Sequence, residues 1–180
     1  SKSWSPEKEE AMRELLATGY WLNGAIDSAD QALRDLREKF PTNFQAAVGL
    51  GTLNIIQDRG AFGVEYLEDA KRLDPKDIRP YLILGRYFSD IRDYRKAELN
   101  LANGFVRFPN DERLILLGGD LLFNQGRYQE ALAKYQPLNA SSPVDRDIRI
   151  KIALSFLYSG EHEKALEMFT ALRPASGTDE

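Results

Sequence analysis

The chain has no cysteine and a single histidine, His162, in 180 residues. Without thiols there is no disulfide framework, no thiolate nucleophile and no thiolate metal site. One imidazole cannot supply a histidine-rich metal triad, and alone at a helical position it reads as a packing side chain rather than a general base. Long apolar runs are missing as well. The longest candidate, Leu114–Leu117, is one turn of buried helix, against the roughly 18 residues that a membrane span requires. An excess of positive charge is also lacking: 24 basic residues are spread among 28 acidic ones, for a net charge of -4. That balance argues against a general nucleic-acid or anionic-membrane binder, which needs a clustered basic field. No glycine-rich phosphate loop is present, since Gly118 and Gly119 fall inside a helical stretch. Carboxylates such as Asp27, Asp30 and Asp35, or Glu161, Glu163 and Glu167, are spaced as solvated helix faces. The expectation is a chain without enzymatic activity, cofactor or metal. It opens on Ser1 rather than methionine, as a processed or trimmed product would, and its compartment stays open between cytoplasm and bacterial periplasm.

What the sequence does contain is a period. Pro41, Pro75, Pro109 and Pro143 stand 34 residues apart, and a fixed interval of this length signals stacked repeats. Dividing the chain at residues 10, 44, 78, 112 and 146 aligns further columns. The eighth position of each segment is Ala17, Gly51, Gly85, Gly119 and Ala153, and the twentieth is Ala29, Gly63, Ala97, Ala131 and Ala165. Small residues at both columns allow two helices to cross closely. Bulk beside the crossing comes from the eleventh column, Tyr20, Asn54, Phe88, Leu122 and Phe156, and from the twenty-fourth, Leu33, Leu67, Leu101, Tyr135 and Phe169. Only Asn54 breaks the apolar character of the eleventh.

Small, bulky and proline columns at this spacing resemble the tetratricopeptide repeat. The resemblance implies an all-α, right-handed superhelical solenoid of about ten antiparallel helices. It divides the chain into an N-terminal cap and helix start (1–9), five repeats (10–43, 44–77, 78–111, 112–145 and 146–174) and a disordered tail (175–180). Helices are expected to begin at Pro6 behind a Ser5 cap, then near Thr42, Pro75, Asn110 and Pro143. The turns within repeats are expected at Asn23–Gly24, Asp58–Gly60, Asp90–Asp93, Gln125–Gly126 and Ser159–Gly160. Trp4 is expected to staple the first turn or to dock elsewhere. Gly60 and Gly63 should soften the second helix of repeat 2, and Pro137 should kink or shorten that of repeat 4. Ile148, Ile152, Phe156, Leu166 and Phe169 risk exposure at the last repeat, which suggests truncation there or a dimer through that repeat.

In this family the first helix of each pair faces a concave groove. The resemblance therefore implies a partner-binding surface of Trp21, Val48, Thr52, Ile55, Arg79, Leu82, Arg86, Arg113, Leu116, Asp120, Phe123, Asn124, Ile150, Leu154 and Tyr158. An apolar stripe flanked by arginine suits a peptide or helix of a partner protein, with aromatic anchors and arginines fixing orientation. Against this stands the reading in which the aliphatic members pack between repeats and Arg86 pairs with Asp120. The carboxylate-gripping pattern of the family's chaperone adaptors is not matched at any repeat, which argues against a heat-shock chaperone tail as ligand. The expected function is a non-catalytic interaction scaffold, resembling those of bacterial assembly and export systems. The alternative is a homo-oligomerising scaffold that binds copies of itself, for instance as a homodimer. Neither nucleic acid nor direct membrane insertion is expected.

Overall fold

The computed structural model describes residues 4–141 and 145–172. These residues form ten helices and no strand: α1 (Pro6–Leu22), α2 (Ile26–Lys39), α3 (Phe44–Ile56), α4 (Gly60–Leu73), α5 (Arg79–Asp90), α6 (Tyr94–Arg107), α7 (Glu112–Asn124), α8 (Tyr128–Ser141), α9 (Arg146–Tyr158) and α10 (His162–Leu172). None of them is long and apolar enough to cross a membrane. The expected tail at 175–180 and the proline at 143 lie outside the described residues.

Two local devices recur every 34 residues. The first ends the second helix of a pair. Phe40, Asp74 and Phe108 each donate a last backbone hydrogen bond to the carbonyl four residues back, then leave helical geometry with φ of -126, -134 and -132°. Each precedes a proline, whose ring disfavours the helical conformation in the residue before it. The second device joins the two helices of a repeat. Gly24, Asp58, Arg92, Gly126 and Gly160 all have positive φ, between 58 and 86°. In four of the five turns the next N–H reaches back to the carbonyl five residues earlier, as Ala25 does to Tyr20 and Arg127 to Leu122. This is the left-handed helix stop that normally selects glycine.

First-helix starts are set by short polar side chains. Ser5 Oγ accepts from Lys8 N, Asn43 Oδ1 from Ala46 N, Asp111 Oδ1 from Arg113 N, and Asp145 Oδ1 from Asp147 N. The α5 start departs from expectation: the helix begins at Arg79, four residues after Pro75. Asp74 Oδ1 accepts from Lys76 N and Asp77 Oδ1 from Arg79 N, so two successive aspartate turns hold this stretch out of the helix.

By its packing the chain divides between Leu84 and Gly85, within α5, into two compact units. In the first, α1 packs on α2, α2 on α3 and α3 on α4. Leu33 and Leu36 of α2 join Ala46, Leu50 and Leu53 of α3 in one apolar cluster, with Ala17 and Ala29 at the α1 and α2 crossing. Gly51 and Gly63 stand back to back: a β-carbon on Gly51 would lie 2.5 Å from Leu67 Cγ, and one on Gly63 would lie 2.9 Å from the Gly51 carbonyl. The helix-weakening glycine at 63 is thus what lets α4 touch α3. Asn54, the polar exception, is buried and donates Nδ2 to the Leu50 carbonyl at 2.8 Å. Asn43, the cap of α3, ties that helix start to α1, donating Nδ2 to Glu10 and Glu14 at 2.7 and 2.6 Å. Trp4 is largely exposed.

In the second unit α6 packs on α7, α7 on α8, α8 on α9 and α9 on α10. Its core joins Ala131, Leu132, Tyr135 and Leu138 of α8 to Ile148 and Ile152 of α9. Ile148 and Ile152 are therefore covered, contrary to the exposure expected of them, whereas Leu166 is 69% exposed. Pro137 does not stop α8, which continues through it to Ser141.

Candidate functional site

First-helix side chains open two recesses, one in each unit. In the second unit α5, α7 and α9 line a cavity of about 270 Å³ with Leu117 and Leu154, Arg86, Asp120, Phe123 and Asn124. Its floor carries a charge network. Asp120 Oδ1 accepts from the Tyr135 hydroxyl at 2.8 Å and from Lys151 Nζ at 2.6 Å. Burial, then the Asp120 charge, push the Tyr135 hydroxyl well above the ordinary tyrosine range, so it stays a neutral donor. Lys151 offsets the carboxylate. Arg86 is exposed and makes no hydrogen bond or ion pair among the described residues. The alternative Arg86–Asp120 pair is not formed: Asp120 pairs with Lys151, and Arg86 lines the cavity.

The rim is aromatic. Phe123 meets Tyr128 and Tyr158 edge to face, at centroid distances of 5.1 and 5.7 Å, and Tyr128 stacks on Tyr158 at 5.2 Å. Asn124 Nδ2 donates to Ser89 Oγ at 3.1 Å, and the Tyr94 hydroxyl donates to the Asn124 carbonyl at 3.0 Å. These contacts hold Asn124 and Phe123 at the lip.

The recess of the first unit, about 220 Å³, is more apolar, lined by Trp21, Leu33, Leu36, Val48, Thr52 and Arg79 among others. Several of its polar groups are already engaged. Thr52 Oγ1 donates to the Val48 carbonyl at 2.8 Å, Arg79 donates to Gln45 and Asp77, and the Arg79 guanidinium lies 5.0 Å over the Phe44 ring.

The remaining sequence-derived positions fall elsewhere. Ile55 packs against Gly63 at the α3–α4 crossing. Leu116 packs on the second unit's core, Leu82 and Ile150 are half-buried, and Arg113 is bonded to Asp111. Val48 lines the recess yet is itself buried beside Ala47 and Ala70. Sequence reasoning passed over Lys151 and the Tyr135 hydroxyl. The signal for Lys151 was a charge in a column that otherwise reads Leu15, Gly49, Ile83 and Leu117. Among the described residues no cluster of three or more histidine, aspartate or glutamate side chains is placed to hold a metal.

The profile of the tetratricopeptide repeat family matches residues 84–145 and 116–180. Among solved structures, PilF of Pseudomonas aeruginosa is similar with a TM-score of 0.77 and 15% identity, over 94% of this chain and 79% of that one. MamA is similar with a TM-score of 0.74 and 18% identity, over 91% and 89%. YrrB, described as a TPR protein with an unusual peptide-binding site, gives 0.66 and 20%, over 87% and 80%. No curated protein sequence matches at a significant level. At these identities the likenesses speak for the fold, a solenoid of paired helices, and proteins built this way generally serve as interaction scaffolds. By the match of its repeats, the chain belongs to the tetratricopeptide repeat family.

Proposed function

We propose that the chain is a non-catalytic scaffold that holds a peptide or helix of a partner protein against its first helices, in a bacterial assembly or export complex. The observation that carries this reading is the unpaired Arg86 beside the aromatic lip and the internally neutralised Asp120. A free guanidinium fixes a polar group of a partner, and Phe123 with Tyr158 offers the kind of anchor that dominates binding energy. The cavity, at about 270 Å³, lies just under the range of about 300–1,000 Å³ typical of small-molecule sites. It suits one or two side chains of a peptide. The peptide-binding site of YrrB is in keeping with this reading. The first unit's recess around Trp21, Val48 and Thr52 accommodates an apolar side chain, with Arg79 at its edge.

The test is selection of a displayed random peptide library on the purified chain. Selected peptides should bind Arg86→Ala and Phe123→Ala at least tenfold more weakly, with helicity unchanged, and should bind Phe62→Ala, altered on the exposed face of α4, as they bind the parent. Peptides indifferent to Arg86 and Phe123 would remove the reading.

A further inference from the structure

The charged side chains lining the second unit's cavity are Arg86 and Asp90 of α5, Asp120 of α7 and Lys151 of α9. Two of them are spent on each other, because Lys151 Nζ lies 2.6 Å from Asp120 Oδ1 and the Tyr135 hydroxyl donates to the same oxygen. The other two stay apart. Arg86 and Asp90 are exposed, and neither makes a hydrogen bond or ion pair among the described residues. They stand one turn apart with the cation first, the weaker of the two orders for a helical pair at this spacing. The cavity therefore offers one guanidinium and one carboxylate that no side chain among the described residues neutralises.

A guanidinium is a planar fork of N–H donors that matches both oxygens of a carboxylate. Beside it Leu117, Leu154 and Phe123 form an apolar wall, suited to an aliphatic or aromatic side chain. A second acid in the same space would meet Asp90 with no cation left to answer it, since Lys151 already holds Asp120. The pattern by which chaperone adaptors grip a terminal carboxylate is matched at no repeat, which turns the choice of acid toward a side chain.

We infer that the partner segment presents one acidic side chain to Arg86, next to an apolar side chain held by Leu117, Leu154 and Phe123, and that Asp90 disfavours acidic runs. The inference rests on the peptide-binding reading and adds to it the charge and number of the ligand's polar groups.

The experiment is selection of one displayed random peptide library in parallel on the parent chain and on Arg86→Glu, with helicity checked by circular dichroism. Affinities are then measured for synthetic peptides with acetylated and amidated ends. The parent should select a single aspartate or glutamate beside an aliphatic or aromatic residue, and exchanging that acid for its amide should weaken binding about tenfold or more, as loss of a hydrogen bond between charged groups does. Arg86→Glu should select lysine or arginine there instead; if it loses helicity, Arg86→Gln takes its place and should bind the acid and amide peptides alike. A second acid added beside the first should weaken binding to the parent and weaken it less in Asp90→Asn; an equal loss in both would overturn the role of Asp90. Peptides that need Phe123 yet tolerate the amide exchange, or that bind only with a free carboxyl end, would overturn the inference and leave the scaffold reading standing. Peptides indifferent to both Arg86 and Phe123 would remove that reading and this inference with it.

Discussion

Gly118 and Gly119 are neighbours in α7, yet an added methyl group meets different surroundings at each. On Gly119 it would run into the ring of Tyr135, which its bond to Asp120 holds in place; on Gly118 it would find Phe105 at a comfortable 3.8 Å. Alanine also favours the helix by about 1 kcal/mol over glycine. Gly118→Ala should therefore raise stability in urea denaturation by roughly that amount, while Gly119→Ala should lower it by about 1–3 kcal/mol through overpacking. Tyr135 supplies a pH test. Its folded-state hydroxyl titrates above the ordinary value of 10.0, so above that pH the unfolded chain loses a proton that the folded chain keeps. Stability should fall as pH rises past 10, and the fall should be shallower in Tyr135→Phe, read from denaturation midpoints across the alkaline range. Tyr135→Phe should also cost on the order of 1 kcal/mol at neutral pH for the lost hydrogen bond.

At the scale of elements, the five intra-repeat turns share one backbone shape but not one residue type. Asp58 and Arg92 hold the left-handed conformation at φ of 58 and 60°, where a β-carbon costs about 1–2 kcal/mol and glycine costs far less. Arg92→Gly should raise the thermal midpoint, corresponding to about 1 kcal/mol, and Asp58→Gly should gain less because aspartate tolerates this region better. In α8, Pro137→Ala would restore the hydrogen bond to the Ala133 carbonyl and should stabilise the chain by on the order of 1–3 kcal/mol. These elements also show what a sequence carries. The proline period gave the 34-residue spacing that the helix ends before Pro41, Pro75 and Pro109 follow, and the alanine and glycine columns located the close crossings, because both follow from sterics local to one residue. The start of α5 was not legible, since the side chains of Asp74 and Asp77 compete with the helix for the same backbone N–H groups. Nor was the passage of α8 through Pro137, which is set by packing around the helix rather than by the proline alone.

At the scale of the whole molecule, the proposed function rests on which side chains are left unpaired among the described residues. The first-helix columns were visible from the period, and Arg86, Asp120, Phe123, Asn124 and Leu154 do share one cavity. The pairing inside it was not visible, because Asp120 draws its partners from α8 and α9, and the choice of Lys151 over Arg86 depends on three-dimensional reach. The proposed peptide binding on first helices makes a spatial statement that an amide spectrum can read. A peptide selected on the purified chain should be titrated into the isotope-labelled protein and the shifts mapped. They should concentrate at Arg86, Asp120, Phe123, Asn124 and Leu154. Shifts centred instead on second-helix positions such as Phe62 and Leu99 would contradict a scaffold that works through its first helices.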